Sequence, residues 1–236
     1  MQNNSWDFKK DENIPFNEES YFMDHKSRFL AFREIIRSLG TFELVCDIGI
    51  GIGSFYKVFE NNEIQKIYGV DIVPEFIEIS KQRGLHVSLC DINSEPVPFD
   101  SDMFDLVVCD SMLEHTFKPN FLISECLRIL KPGGYLLLST PNALSFAMRW
   151  NYLRGRNQFW PLIHNLISEI GYLKRCSIFY GLKEIKILFP DKQVKPFFIH
   201  EDFWRNRKSS IIGKIINLLA IFFPSGRNMI AVVVKK

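Results

Sequence analysis

The chain has five cysteines, Cys46, Cys90, Cys109, Cys126 and Cys176, an odd number with no C-x-x-C pair. That argues against a disulfide framework of the small secreted kind and supplies no zinc-ligand spacing. Three of them stand in apolar, strand-like runs and read as reduced core residues of a cytoplasmic protein. A basic segment followed by an apolar one is missing at the start, where residues 1–19 are polar and acidic, so no secretory leader is expected. The apolar stretch Ile211 to Phe223 contains Lys214 and Asn217 and is shorter than the ~20 residues of a membrane span. There is no internal repeat and no low-complexity tract. His25, His86, His164 and His200 lack ligand spacing, and no metal is expected.

What is present is a chain of 236 residues, 47% of them apolar, enough for one sizeable core and a single domain with additions. A formal net charge of +2 conceals an asymmetry. Residues 1–144 hold 13 Lys and Arg against 22 Asp and Glu, net −9, and residues 145–236 hold 16 against 5, net +11. The basic half suits an anionic acceptor or surface, and equally an ordinary solvated face.

The densest signal is Val45-Cys46-Asp47-Ile48-Gly49-Ile50-Gly51-Ile52-Gly53, an apolar strand running into glycines, a turn expected to expose backbone N–H groups to a ligand. A second apolar run, Ile67 to Val70, ends in Asp71, twenty positions past Gly51, where a carboxylate can grip a ribose. The dinucleotide fingerprint G-x-G-x-x-G needs its third small residue where this chain has Ser54. The spacing here is G-x-G-x-G.

Residues 45–53 resemble the first motif of the class I S-adenosylmethionine (SAM) dependent methyltransferases. Val70-Asp71-Ile72 is similar to that family's second motif, Cys90-Asp91-Ile92 to its third, and Phe104 to Val108 with Cys109-Asp110-Ser111 to its fourth strand. Leu130-Lys131-Pro132-Gly133-Gly134 and the run to Asn142 resemble its post-helix turn and fifth strand, so the likeness covers roughly residues 40–145.

The elements expected are a helix over Glu19 to Leu39 ended by Gly40, then strand Phe42 to Ile48 and a helix over Ser54 to Asn61. Strand Lys66 to Val70, helix Pro74 to Arg83 and strand Leu85 to Cys90 follow. Strand Phe104 to Cys109, helix Pro119 to Leu130, a break at Lys131 to Gly134 and strand Tyr135 to Ser139 complete the core. Later come a helix over Pro161 to Tyr180, a strand over Lys183 to Phe189 and a last strand from Met229 to Val234. Strands alternating with helices mean a parallel, doubly wound α/β sheet whose ligands bind at the carboxyl ends of the strands. The resemblance implies a Rossmann-like, seven-strand, three-layer fold with an antiparallel last strand. The organisation expected is a lid-helix region over residues 1–40, a SAM-binding core over 41–145 and a basic substrate-binding cap over 146–236.

The resemblance implies that Gly49, Ile50 and Gly51 line the SAM turn behind Asp47, that Asp71 accepts both ribose hydroxyls with Ile72 against the adenine, and that Asp91 and Ile92 meet the adenine edge. Asp91 in Asp91-Ile92-Asn93-Ser94 is also plausible turn chemistry. Asp110 and Ser111 should border the sulfonium or, alternatively, cap the next helix. A hydroxyl or amine acceptor must lose a proton, and His115 in Leu113-Glu114-His115 is the candidate base, with Glu114 beside it. This segment resembles quinone-type and other small-molecule O-methyltransferases. Glu114-His115 is also similar to a metal-dependent RNA 2′-O-methyltransferase motif, but Ser111 replaces an expected ligand.

Aromatics and Arg149, Arg154 and Arg156 interleave between Phe146 and Trp160, as in a pocket-covering helix or a surface that holds a base, a sugar or a phosphate. Ile211 to Phe223, with Arg205, Arg207, Lys208 and Lys214, reads as a core helix or an interfacial one. The tail resembles methyltransferases of surface-glycan and lipid-linked pathways. The expectation is a SAM-dependent O-methyltransferase, cytoplasmic or peripheral at the inner membrane face, acting on a small-molecule, glycan or lipid-linked acceptor. An RNA methyltransferase and a non-catalytic SAM-binding protein are the alternatives.

Overall fold

A computed structural model describes residues 18–59, 63–142, 145–154, 193–199, 219 and 229–236. Helix α1 (Glu18–Leu39) opens with Glu18 and Glu19 and closes with Arg37, charges that complement the helix dipole. Phe29, Phe32, Ile35 and Ile36 form its buried stripe, and Gly40 at φ 133° ends it. The stripe packs on a 3-10 helix, Ser54–Val58, where the Phe55 ring lies 5.7 Å from both Phe29 and Phe32.

The sheet contains β1 (Phe42–Ile48), β2 (Ile64–Asp71), β3 (His86–Leu89), β4 (Phe104–Asp110), β5 (Leu130–Pro141), β6 (Val194–Ile199) and β7 (Met229–Lys235) in the order β3-β2-β1-β4-β5-β7-β6. The first five are parallel; β7 runs antiparallel to both β5 and β6. Helices α2 (Pro74–Gln82) and α3 (Pro119–Ile129) make the crossovers, each with proline at its first position, and α4 (Phe146–Leu153) follows β5. The apolar strands feed a core on each face. In β1, Val45 joins α1 and the 3-10 helix, and Cys46 and Ile48 join α3. This is the expected seven-strand doubly wound sheet with an antiparallel last strand.

Two expectations change in detail. The helix expected over Ser54 to Asn61 is a 3-10 helix ending at Val58, because its tighter turn sets Phe55 and Val58 on one side and both are buried. The break expected at Lys131 to Gly134 lies inside β5 as a register jump: Leu130 pairs with Phe104 and Tyr135 with Leu106. Gly133, at φ 83°, and Gly134 exchange hydrogen bonds with Lys236, which sews the irregularity to the end of β7. The edge strand is Val194–Ile199; the strand expected over Lys183 to Phe189 lies outside the described residues, as do the helix over Pro161 to Tyr180 and residues 155–160. Of Ile211 to Phe223 only Leu219 is described. No helix among the described residues is long and apolar enough to cross a membrane.

Candidate functional site

The chain leaves β1 toward β2 and β3 on one side and resumes at β4 on the other, so a crevice opens between the carboxyl ends of β1 and β4. Register fixes what meets there. Asp47 pairs with Gly69 and Val108, Asp71 with Leu89, and Asp110 with Ser139, which brings three strand-end carboxyls to one edge of the sheet.

Gly49, Gly51 and Gly53 all have positive φ, at 79°, 56° and 73°. A Cβ on Gly49 would lie 2.2 Å from Met112 Sδ, whereas one on Gly51 would meet nothing within 4 Å. The space over Gly51 is therefore open. The turn differs from the sequence expectation in one respect: its amides are not bare. Gly49 and Ile50 donate to Val70 O at 2.9 and 3.1 Å, Gly53 donates to Ile50 O at 3.0 Å, and Gly51 donates to Asp71 Oδ2 at 2.8 Å. Internal hydrogen bonds fix the turn, and what it offers a ligand is close approach to glycine backbone.

Asp71 has a second tie, accepting the Val73 N–H on Oδ1 at 3.0 Å, and each oxygen retains a lone pair. Burial raises its pKa, and the N–H groups of Val73, Gly51 and Ile72 pull the other way. Ile72 beside it is 40% exposed, an apolar surface suited to a purine face. Asp47 is buried; desolvation first, then the charges of Asp110 and Asp71, drive its pKa well above the usual carboxylate range. The Tyr56 hydroxyl opposes this shift, although no hydrogen bond of good geometry joins the two groups.

Ile50 and Ile92 turn their side chains into the two cores and leave only backbone for a ligand. Asp91 folds its own turn: its carboxylate accepts Asn93 N–H at 3.0 Å and Ser94 Oγ at 2.9 Å. Asn93 then ties this turn to the loop after β4, accepting Thr116 Oγ1 at 2.8 Å and Phe117 N–H at 2.9 Å.

At the end of β4, Asp110 Oδ1 accepts the hydroxyls of Ser139 and, at 3.2 Å, Ser111. Glu114 is buried and accepts Thr140 Oγ1 at 3.2 Å. Desolvation pushes its pKa up to about 8, so it is largely protonated at neutral pH. His115 is exposed and has no side-chain partner among the described residues; desolvation by the surrounding protein lowers its pKa. The loop after β4 thus carries a buried, largely neutral carboxylic acid next in sequence to an exposed imidazole that is mostly unprotonated at pH 7.

Several residues of the site did not stand out in the sequence. Ser80, fully buried on α2, donates to Gly51 O at 2.9 Å, and Arg83 donates to Ile52 O while pairing with Glu18 of α1. Arg28 of α1 reaches Asp110 and Ser111. A signal for Arg28 existed: with Phe32 and Ile35 it stands at i, i+4 and i+7, a charge on an apolar stripe.

Residues 46–138 match the model of the methyltransferase domain family. An uncharacterised protein of Methanocaldococcus jannaschii is 35% identical over 140 residues, covering 59% of this chain and 62% of that protein. A ubiquinone biosynthesis O-methyltransferase of Xanthomonas oryzae is 35% identical over 103 residues, covering 42% of this chain and 43% of that enzyme. The chain thus matches about half the length of these relatives. A SAM-dependent methyltransferase of Thermotoga maritima shares the fold, with a TM-score of 0.57 and 19% identity over 92% of this chain and 93% of that one. Residues 46–138 are thus similar to a methyltransferase domain, carried on the fold of that SAM-dependent neighbour.

Proposed function

We propose that the whole chain is a SAM-dependent methyltransferase that methylates an oxygen of a small-molecule, glycan or lipid-linked acceptor. The observation that supports this reading most is the meeting of Asp47, Asp71 and Asp110 around the open backbone of Gly51, with the turn held by Asp71 itself. A ribose diol fits the remaining lone pairs of Asp71, and an adenine fits against Ile72. The glycine turn would then hold the methionyl end, and Asp110 and Ser111 at the end of β4 would border the sulfonium. SAM supplies a methyl group already activated by positive sulfur.

The chain's own task is to align the acceptor and take its proton. His115 suits that task better than Glu114, because its imidazole is free to accept a proton near neutral pH and Glu114 already holds one. Asp110, at the end of β4, would favour binding of the positive sulfur electrostatically. The net +11 of residues 145–236 favours an acceptor that carries negative charge, met in the cytoplasm or at the inner membrane face. Incubating the protein with methyl-labelled SAM and separate lipid, glycan, small-molecule and RNA fractions of a cell extract tests this. Label in a lipid, glycan or small-molecule fraction is expected. Label confined to RNA would refute the acceptor class, and no transfer to any fraction would refute the activity.

A further inference from the structure

Arg28 is an arginine where the packing calls for an apolar residue. It lies on the buried stripe of α1 and is 5% exposed, with its guanidinium 5.5 Å from the Phe29 ring. Burying a cation is costly unless it is paired. Among the described residues it reaches the end of β4: Nε lies 3.5 Å from Asp110 Oδ2, and Nη1 donates to Ser111 Oγ at 3.1 Å. Ser111 Oγ in turn donates to Asp110 Oδ1 at 3.2 Å, so guanidinium, hydroxyl and carboxylate close a ring. Ser111 has a left-handed φ of 55°, unusual for serine, and its N–H is held by Ser139 at 3.2 Å.

The charges around this ring come from several elements. Asp47 comes from β1, Asp71 from β2 and Asp110 from β4; Glu114 and His115 follow β4, and Arg28 comes from α1. We propose that Arg28 sets the charge of the cofactor site: by offsetting Asp110 it fixes how strongly the site favours cationic SAM over the neutral product S-adenosylhomocysteine (SAH). This rests on the reading above, in which the sulfonium lies at the end of β4. Methyl transfer disperses the sulfonium charge. An uncompensated carboxylate there would hold the charged ground state more tightly than the transition state and so slow the reaction. Arg28 limits that hold and keeps Asp110 and Ser111 in one arrangement.

The test needs no acceptor. SAM and SAH are titrated separately by calorimetry into the parent, Arg28→Met, Arg28→Lys, Asp110→Asn and the Arg28→Met/Asp110→Asn double variant, at low ionic strength. The readout is the ratio of Kd for SAH to Kd for SAM. A unit charge added or removed at this range in a partly solvated site changes that ratio by about tenfold. The ratio is expected to rise about tenfold in Arg28→Met, to stay within about twofold in Arg28→Lys, to fall about tenfold in Asp110→Asn, and to return to near the parental value in the double variant. Equal weakening of both ligands, with the ratio unmoved, would make Arg28 merely structural and overturn the proposal. Should Arg28→Met fail to fold by circular dichroism, an unmoved ratio in Asp110→Asn overturns it alone. A parent that binds neither compound would overturn the functional reading and this inference together, a result distinct from a parent that binds both while its variants keep the same ratio.

Discussion

Glu114, in the loop after β4, holds its proton in the fold because its carboxyl is buried, although the Thr140 hydroxyl that donates to it pulls the other way. Its pKa in the fold, about 8, lies above that of an unfolded glutamate, so it contributes stability that is full in acid and is lost as pH rises toward 8. Glu114→Gln, neutral at every pH, should flatten that slope. Urea unfolding at pH 5 and pH 8 should show the variant gaining on the parent at the higher pH; an unchanged difference between the two pH values would mean that Glu114 is not buried as described. His115 acts in the other direction. With its pKa lowered by desolvation, the imidazole is unprotonated through neutral pH, and a rate that depends on it should fall only at a pH below that at which an ordinary histidine titrates. His115→Ala should slow methyl transfer by about 10²-fold or more, the usual effect of losing a general base, with SAH affinity nearly unchanged. A loss of SAH binding instead would move His115 from proton transfer to cofactor contact.

The packing of the elements explains why the glycine turn is rigid. Gly69 in β2 lies directly beneath the glycine turn: a Cβ there would sit 2.6 Å from Ile50 Cδ1 and 2.9 Å from Asp47 O. Because that oxygen belongs to the backbone of β1, Gly69→Ala should destabilise the fold by about 1–3 kcal/mol and weaken SAH binding together, in thermal melts and titrations on one preparation. On the far side of the sheet, Lys236 Nζ donates to Leu127 O at 2.8 Å and to Leu130 O at 2.5 Å, and pairs with Asp102 at 2.6 Å, capping the end of α3. Lys236→Met should cost about 0.5–1 kcal/mol in urea unfolding and leave SAH binding intact, since it lies away from the strand ends of the site. The strands were legible in sequence because apolar runs covered on both faces leave few alternatives. The 3-10 helix was not, since Phe55, Tyr56 and Val58 fit either helical pitch over so short a span. The long β5 was hidden because Lys131-Pro132-Gly133-Gly134 reads as a stop, and only pairing with β4 and with Lys236 keeps it in the sheet.

At the scale of the molecule, a sheet with one topological switch gathers residues from α1, β1, β2, β4 and β5 into one crevice. The glycines and the acids at the strand ends were legible because each sits at a fixed offset from an apolar run. Arg28, Ser80, Ser139 and Thr140 were not, because their roles depend on which elements become neighbours, and local sequence does not specify that. The turn's hydrogen bonds show the same limit: G-x-G-x-G correctly indicated tight backbone, but only the register of β1 against β2 shows that Val70 and Asp71 take up its amides. On the proposed reading, Asp71 and the glycine turn converge on one adenosyl compound. Calorimetric titration of SAH into the parent and into Asp71→Ala tests it most directly. Saturable one-site binding is expected in the parent, weakened about tenfold or more in a variant that still melts cooperatively. No heat of binding in the parent, or an Asp71→Ala protein with the parental affinity, would contradict it.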